Sequence, residues 1–254
     1  MSSMRKTALI AGVLMVITFI FSIPAQFTLY EPVLKHSGYI LGPGADTRLT
    51  TGALFEIIVV VANIGTATVL FPVLKRQSES LALSYVAARI MECTLIVIGI
   101  LSLLTVMTLR QPGTAGPDAA SLHLAGQQLT ALHDWTFLLG PGFTVGIGNG
   151  LILGYLMYSS HLLPRRLAVL GLVGGPLIVL SGIAVMFGLI DAGSLGQAVA
   201  TIPEFFWELG LGIYLIAKGF RPAAVATLYP APVATRRPPV IDDPPVTPTL
   251  PVGV

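Results

Sequence analysis

The chain has 254 residues, of which 54% are hydrophobic and 10% are charged, and its mean hydropathy is +0.84. A soluble domain carries about 25% charged residues, so this composition excludes an ordinary soluble globular protein and indicates that most of the chain meets lipid. The formal net charge of +2 gives no reason to expect a nucleic-acid partner, and the single cysteine, Cys93, excludes an internal disulfide.

The first apolar segment covers residues 7–29 and contains no ionisable side chain. About 20 apolar residues suffice to cross the hydrocarbon core of a bilayer. A cleaved signal peptide is the alternative, but Ile23 stands where a small residue is needed upstream of the only candidate cleavage site, after Ala25. We therefore predict an uncleaved first membrane helix.

The second predicted span, residues 52–74, follows a polar loop at residues 30–51 and is interrupted by two polar side chains. Glu56 and Asn63 are separated by two helical turns, so both are expected on the same face of the helix. That shared face is a candidate for a polar interior.

The third predicted span, residues 81–109, carries a polar stripe. Arg89 and Glu92 lie on it at helical spacing with Tyr85 and Ile96. An arginine at bilayer depth costs about 2.5–3.5 kcal/mol on insertion scales, so it needs a partner and usually marks a polar centre.

The fourth predicted span, residues 134–158, has the clearest helix-packing pattern, because small residues on one face let membrane helices approach closely. Glycines recur on it at every fourth position, namely Gly142, Gly146, Gly150 and Gly154. Asn149 adds a polar group near the middle of this span. The preceding residues, 110–132, are predicted to be a loop in which residues 121–132 form a short amphipathic helix on the membrane surface.

The fifth predicted span, residues 167–190, has no ionisable residue, whereas the sixth, residues 198–217, contains Glu204 and Glu208 one turn apart. The residues that follow are rich in proline and have no apolar periodicity, a composition typical of disorder. We therefore predict a membrane domain that ends at residue 221 and a disordered cytoplasmic tail, residues 222–254.

Basic residues collect on one side of this six-span arrangement. Both termini and two tight connectors, residues 77–80 and 161–166, share that side. It holds Arg5, Lys6, Lys75, Arg76, Arg165, Arg166, Lys218, Arg221, Arg236 and Arg237. The positive-inside rule therefore predicts cytoplasmic N- and C-termini. The predicted fold class is all-α: a polytopic integral membrane protein with six transmembrane helices in the plasma (inner) membrane.

Polar side chains from four spans are expected to meet in a buried polar centre. A helical rise of about 1.5 Å per residue places four of them about 15–20 Å from the cytoplasmic surface, near mid-depth. The centre is predicted among the second, third, fourth and sixth spans, with the first and fifth packed outside. Its predicted members are Glu56, Asn63, Arg89, Glu92, Asn149, Glu204 and Glu208.

The charges of this centre do not balance, because one arginine cannot neutralise four glutamates in a low dielectric. We expect Arg89 to be held by Glu92, by Glu208 or by both. At least one remaining glutamate should then be protonated or reach water. Two interpretations stay open: a relay or pocket for protons, ions or a small ligand, and an ion pair that only fixes the register of the helices.

Enzyme motifs are scarce, and we predict no catalytic residue, no metal site and no cofactor. The chain has no G-x-S-x-G, no P-loop and no dinucleotide fingerprint. A zinc site needs three or four converging ligands, and we interpret His36, His123 and His133 as solvated loop histidines.

Four segments carry a resemblance to a known family. LFPVLKR and YVAARIMEC flank the first tight connector, HLLPRRLAVLGL follows the fourth span, and PEFFWELGLGIYLIAKGF ends the sixth. Over roughly residues 6–221 the chain resembles the bacterial membrane protein family known as domain of unknown function 4386. The resemblance implies a compact helical inner-membrane protein, supplies no reaction, and matches recurrent polar positions at Arg89, Glu92 and Glu208.

The leading hypothesis is an uncharacterised membrane protein whose buried Arg/Glu centre binds or transports a small solute or protons. The second is a structural or partner-scaffolding protein, in which the glycine face of the fourth span packs inside the bundle, against a membrane protein partner or against a second copy. An enzyme is the third. The lipid bilayer is the expected environment in each case.

Overall fold

The computed structural model describes residues 3–36, 38–42, 46–110 and 118–230, and all regular secondary structure in these ranges is helical. Six helices there are long and apolar enough to cross a membrane: Ser3–Leu29, Asp46–Leu74, Glu79–Leu109, Ala119–Ser160, Arg165–Met186 and Leu195–Ala217. They are named the first to sixth spans below. Short helices lie at Glu31–Lys35, Tyr39–Leu41 and Pro222–Leu228. The predicted all-α fold with six spans is confirmed.

Polar side chains start three of the spans by capping their free N–H groups. Ser78 accepts a hydrogen bond from the backbone N–H of Leu81 at 3.3 Å, and Ser194 does the same for Gln197 at 3.4 Å. Asp118 accepts from the backbone N–H of Ser121 at 2.8 Å, and this bond lowers the pKa of the Asp118 carboxyl. These caps explain why the spans begin where they do.

Two spans change from α-helix to the wider π-helix. The first span is α-helical over Ser3–Pro24 and π-helical over Ala25–Leu29. The fourth is α-helical at both ends, Ala119–Phe137 and Gly154–Ser160, and π-helical at Leu138–Thr144 and Gly146–Leu153. Pro141, inside the first of these π segments, has no N–H to offer to an α-helical bond. Such segments are rare and are found often at functional sites.

The fourth span is longer than predicted, and the separate surface helix at residues 121–132 was wrong. Those residues are the first turns of a single 42-residue helix, Ala119–Ser160. The first turns of this helix pack against the rest of the molecule. Their Leu122 and Leu129 contact an apolar cluster that includes Tyr30 and Leu103.

Helical structure also extends past the predicted end of the membrane domain. Pro222–Leu228 is a helix, so the prediction that disorder begins at residue 222 was wrong at its start. The remainder of that prediction, residues 231–254, lies outside the described residues. So do residues 43–45 and 111–117 of the two predicted loops.

The six spans form a closed ring in chain order. Each span packs against the one before and the one after it, and the sixth packs against the first. The first span therefore stands between the second and the sixth, and the fifth between the fourth and the sixth. The expectation that the first span lies outside the others was therefore wrong. For the fifth span it is not contradicted, because the sixth span also contacts the fourth directly.

The tight connectors, the start of the first span and the end of the sixth span meet at one end of the ring. This end is named the basic end below. Arg5 donates to the carbonyl oxygen of Leu215 at 2.8 Å, which joins the start of the first span to the end of the sixth. The backbone N–H of Arg221 donates to the carbonyl oxygen of Leu162 at 3.0 Å. The Tyr229 hydroxyl donates to the carbonyl oxygen of Pro72, in the last turn of the second span, at 3.1 Å. Which side of a membrane this end faces stays a prediction.

The outward surface of the ring is apolar. Large side chains such as Ile20, Leu101, Leu180 and Phe206 are exposed. Contiguous apolar surface of this extent is rare on soluble monomers and marks contact with a membrane or a partner. The exposed side chains therefore fit a ring surrounded by lipid tails.

Candidate functional site

Three buried side chains form a polar cluster between the second and third spans. Arg89 Nη1 lies 2.8 Å from Glu92 Oε2, and both residues are almost fully buried, at 5% and 4% exposure. Asn63 connects the two, because its Nδ2 donates to Glu92 Oε1 at 3.0 Å and its Oδ1 accepts from Arg89 Nη2. The amide thus orders both partners of the ion pair. The structure pairs Arg89 with Glu92 and joins Glu208 to a different residue.

Glu208 bonds to Asn149 on the fourth span. The Asn149 side-chain amide donates to Glu208 Oε1, and the main-chain oxygen of Asn149 accepts from the Trp207 indole N–H at 2.9 Å. Asn149 lies in the second π-helical segment, whose wide turn brings this residue against two consecutive residues of the sixth span. Trp207 is fully buried against Gly171 of the fifth span, where no side chain would fit.

Trp207 and Trp135 give a matched pair for testing the contact with Asn149. Replacing Trp207 by phenylalanine removes one hydrogen bond and buried volume, and we expect a loss of about 1–3 kcal/mol in the free energy of unfolding. Trp135 is 47% exposed, so Trp135→Phe should change stability by less than about 0.5 kcal/mol. Equilibrium unfolding in detergent measures both variants, and equal losses would contradict the role given to Trp207.

Glu56 belongs to a second polar group, farther from the basic end. The Tyr30 hydroxyl donates to Glu56 Oε2 at 2.9 Å, and the Tyr30 and His133 rings pack nearly perpendicular to each other with ring centres 5.7 Å apart. His133 is only 2% exposed. The interpretation of this histidine as a solvated loop residue was therefore wrong: the fourth span begins fourteen residues earlier and carries the side chain inside the ring.

A cavity of about 160 Å³ joins these groups inside the ring. Its polar walls come from all the predicted members of the centre except Glu204. The first, second, third, fourth and sixth spans all contribute to its lining, which is Met15, Thr18, Phe19, Ser22, Ile23, Gln26, Phe27, Glu56, Val59, Asn63, Arg89, Glu92, Ile96, Phe137, Pro141, Val145, Asn149 and Glu208. The cavity therefore runs from mid-depth toward the end opposite the basic end.

Glu204 is not on the wall of the cavity. It is buried, and its carboxyl lies in the narrow space between the fourth and fifth spans, where a methyl group added at Gly150 or Gly174 would come within 2.8 Å of Oε2. Neither carboxylate oxygen has a hydrogen-bond partner among the described residues. The structure thus separates Glu204 from Glu208, although they are one turn apart.

Only three of the four glycines predicted to form one packing face contact the fifth span. Gly146, Gly150 and Gly154 meet the fifth span so closely that added methyl groups would lie 2.4 to 3.3 Å from its atoms. Gly142 has only the carbonyl of Phe137 within 4 Å, at 3.7 Å, so it does not belong to the contact. The fifth span also has small residues at this contact. Its Gly175 lies where the fourth and fifth spans cross, against Gly146 and Gly150.

The polar contribution of the first span was not predicted. Thr18, Ser22 and Gln26 lie on the cavity wall at intervals of four residues. They were overlooked because they are uncharged, and short hydroxyl side chains in membrane helices are common without being functional. Their regular spacing was the signal that could have identified this face.

Comparison with protein families matches residues 10–219 to the model described as Domain of unknown function (DUF4386). No curated protein and no solved structure gave a match. The matched residues contain all six spans apart from the first turns of the first, and every side chain that lines the cavity. The chain therefore belongs to the DUF4386 family of membrane proteins.

Proposed function

We propose that this protein carries a small solute or protons across the plasma (inner) membrane through the cavity inside its ring of helices, with both termini in the cytoplasm. The observation that most supports this proposal is that one cavity is lined by Arg89, Glu92, Glu208 and Glu56. Ionisable side chains facing an intramembrane cavity mark substrate pathways and proton relays.

A register pair alone would not require this arrangement. Arg89, Glu92 and Asn63 bond to one another and could fix how the second and third spans meet. Glu208 and Glu56 take no part in that cluster, yet both face the same cavity. Acids cost free energy at this depth, so their presence favours a function in binding or transfer.

Of the scaffolding alternative, only the form in which the glycine face meets a partner or a second copy loses support in the fold; the form in which that face packs inside the bundle agrees with it. The alternative was based on the glycine face of the fourth span, and three of those four glycines pack against the fifth span of the same chain. A face that is filled internally is not free for a partner. The cytoplasmic location of the termini is supported by the basic connectors gathered at one end and by the positive-inside rule.

Proton flux in liposomes tests the proposal. Purified protein is reconstituted with a pH-sensitive dye inside the vesicles, and a pH difference is imposed across the membrane. We expect faster equilibration than in protein-free vesicles, and we expect Glu208→Gln to return the rate to the protein-free level, because the amide keeps the shape of the side chain and cannot release a proton.

Glu79→Gln is the matched control, since Glu79 is an exposed acid at the start of the third span and far from the cavity lining. It should equilibrate at the wild-type rate. Equal rates for wild type and Glu208→Gln would contradict a proton pathway through the cavity.

A further inference from the structure

The groups on the cavity wall are unequal in hydrogen-bonding capacity, and acceptors are in excess. Arg89 gives two of its nitrogens to Glu92 and Asn63, and its Nε is the one buried cavity donor without a partner among the described residues that stands against the several free acceptors. Glu208 has a single hydrogen bond, from Asn149, and Glu56 a single one, from Tyr30; neither forms an ion pair with a described residue. The positive charge in the cavity is therefore already used by Glu92.

Two amide oxygens add to this excess. Asn149 is 1% exposed and turns its Nδ2 to Glu208, which leaves its Oδ1 without a partner among the described residues. Gln26 Oε1, on the first span, is also buried and has no partner in the described part of the chain. Both residues line the cavity. A buried acceptor without a partner is costly, so a ligand that donates hydrogen bonds would stabilise this site.

The apolar part of the wall includes three aromatic rings, of which that of Phe27 is largely exposed. Phe19 and Phe27 of the first span and Phe137 of the fourth line the same cavity as the glutamates. The face of an aromatic ring attracts cations, most strongly where water is excluded. Carboxylates, amide oxygens and ring faces together form the environment that recognises an ammonium group with short alkyl substituents.

The size of the cavity limits the cation to a small one. A volume of about 160 Å³ corresponds to roughly five water molecules at about 30 Å³ each, so only a few non-hydrogen atoms fit. No three His, Cys, Asp or Glu side chains in the described ranges come close enough together to hold a metal ion. Separated acceptors suit an organic cation better than a chelated metal.

We infer that the cavity binds a small alkylammonium ion, with Glu208 and the free oxygen of Asn149 as its acceptors and the phenylalanines around its alkyl group. This inference rests on the proposed function, because it names the class of solute that the same cavity would take. Propylammonium, with four non-hydrogen atoms, is the matching probe; 1-propanol is its neutral and propionate its anionic analogue.

Binding is measured by isothermal titration calorimetry on the full chain in detergent, at constant ionic strength set with sodium chloride. Propylammonium should bind at one site per chain, and 1-propanol and propionate should not bind. Tetrabutylammonium should be too large. Glu208→Gln should weaken propylammonium binding about tenfold or more, since it removes a charge-assisted hydrogen bond, while Glu79→Gln should bind like wild type.

Asn149→Leu gives a second variant in case Glu208→Gln unfolds, and only proteins with a wild-type helical circular dichroism spectrum are compared. Equal binding of propylammonium and 1-propanol, or unchanged binding in both folded variants, would overturn the inference. Proton flux in liposomes without propylammonium binding would overturn it too and leave the proposed function standing. Propylammonium binding without flux of propylammonium or protons would support the inferred ligand and contradict the proposed transport function.

Discussion

Replacing Arg89 with methionine is expected to lower the free energy of unfolding by about 3–5 kcal/mol, because it leaves the Glu92 carboxylate buried without its cation. The ion pair is nearly inaccessible, and its third member, Asn63, loses the donor that its Oδ1 accepts from. Methionine keeps most of the length of the side chain, so the loss reports the missing charge rather than a large empty space.

The double variant Arg89→Met/Glu92→Met separates the charge from the packing. Replacing a whole buried ion pair with apolar residues of similar volume is often neutral or stabilising, so most of the loss should be recovered. Asn63 would then have no partner at either end of its amide, which costs about 1–3 kcal/mol. Adding Asn63→Leu should recover that part as well.

Equilibrium unfolding in mixed detergent micelles, followed by circular dichroism, measures all three variants. The apolar triple variant should be as stable as wild type and yet inactive in the liposome assay. Wild-type flux in that variant would assign the cluster to helix register only, and a loss below about 1 kcal/mol for Arg89→Met would show that Glu92 is not held by the guanidinium.

The spans were predictable because their signal is local. Around 20 apolar residues without charge can satisfy their backbone only as a helix in lipid, and this holds for the segments at residues 7–29 and 167–190 whatever their neighbours are. The long fourth span was missed because its first turns contain polar residues such as Gln127 and Gln128. Their support comes from apolar residues distant in the chain, which local composition cannot show.

The candidate site was predictable to the level of residue type and depth. The expense of placing Arg89, Glu92 and Glu208 in a membrane predicts that they need partners inside the bundle. Which partners they find depends on the rotation of each helix, and nothing local specifies that. Glu204 illustrates the limit: it shares a helix face with Glu208 in the sequence pattern, and the structure places it between the fourth and fifth spans instead.

The difference between Gly142 and the other three glycines also depends on the rotation of the helix, which the sequence pattern does not specify. A spacing of four residues indicates one shared face only if the helix is α-helical throughout. The π-helical segments on both sides of Val145 have wider turns, so Gly142 and Gly150 no longer point in the same direction. A sequence pattern read with α-helical geometry therefore assigned four equivalent glycines where three make the contact.

Gly150→Ala is expected to lower the free energy of unfolding by about 1–3 kcal/mol, and at least as much as any other single methyl group added to this helix face. The new Cβ would lie 2.4 Å from the Cα atom of Gly175 and 2.7 Å from Glu204 Oε2. Backbone cannot rotate away as a long side chain can, so the fourth and fifth spans must separate. Equilibrium unfolding in detergent measures the loss.

Gly142→Ala is the matched control on the same span. Its Cβ would meet only the carbonyl oxygen of Phe137, at an ordinary 3.7 Å, and alanine favours a helix over glycine by up to about 1 kcal/mol. We therefore expect this variant to be as stable as wild type or slightly more stable. Because the two substitutions add the same methyl group to the same helix, equal losses would mean that the fifth span does not pack at Gly150. The separation of Glu204 from the cavity would fall with that contact, since the same crossing encloses its carboxyl.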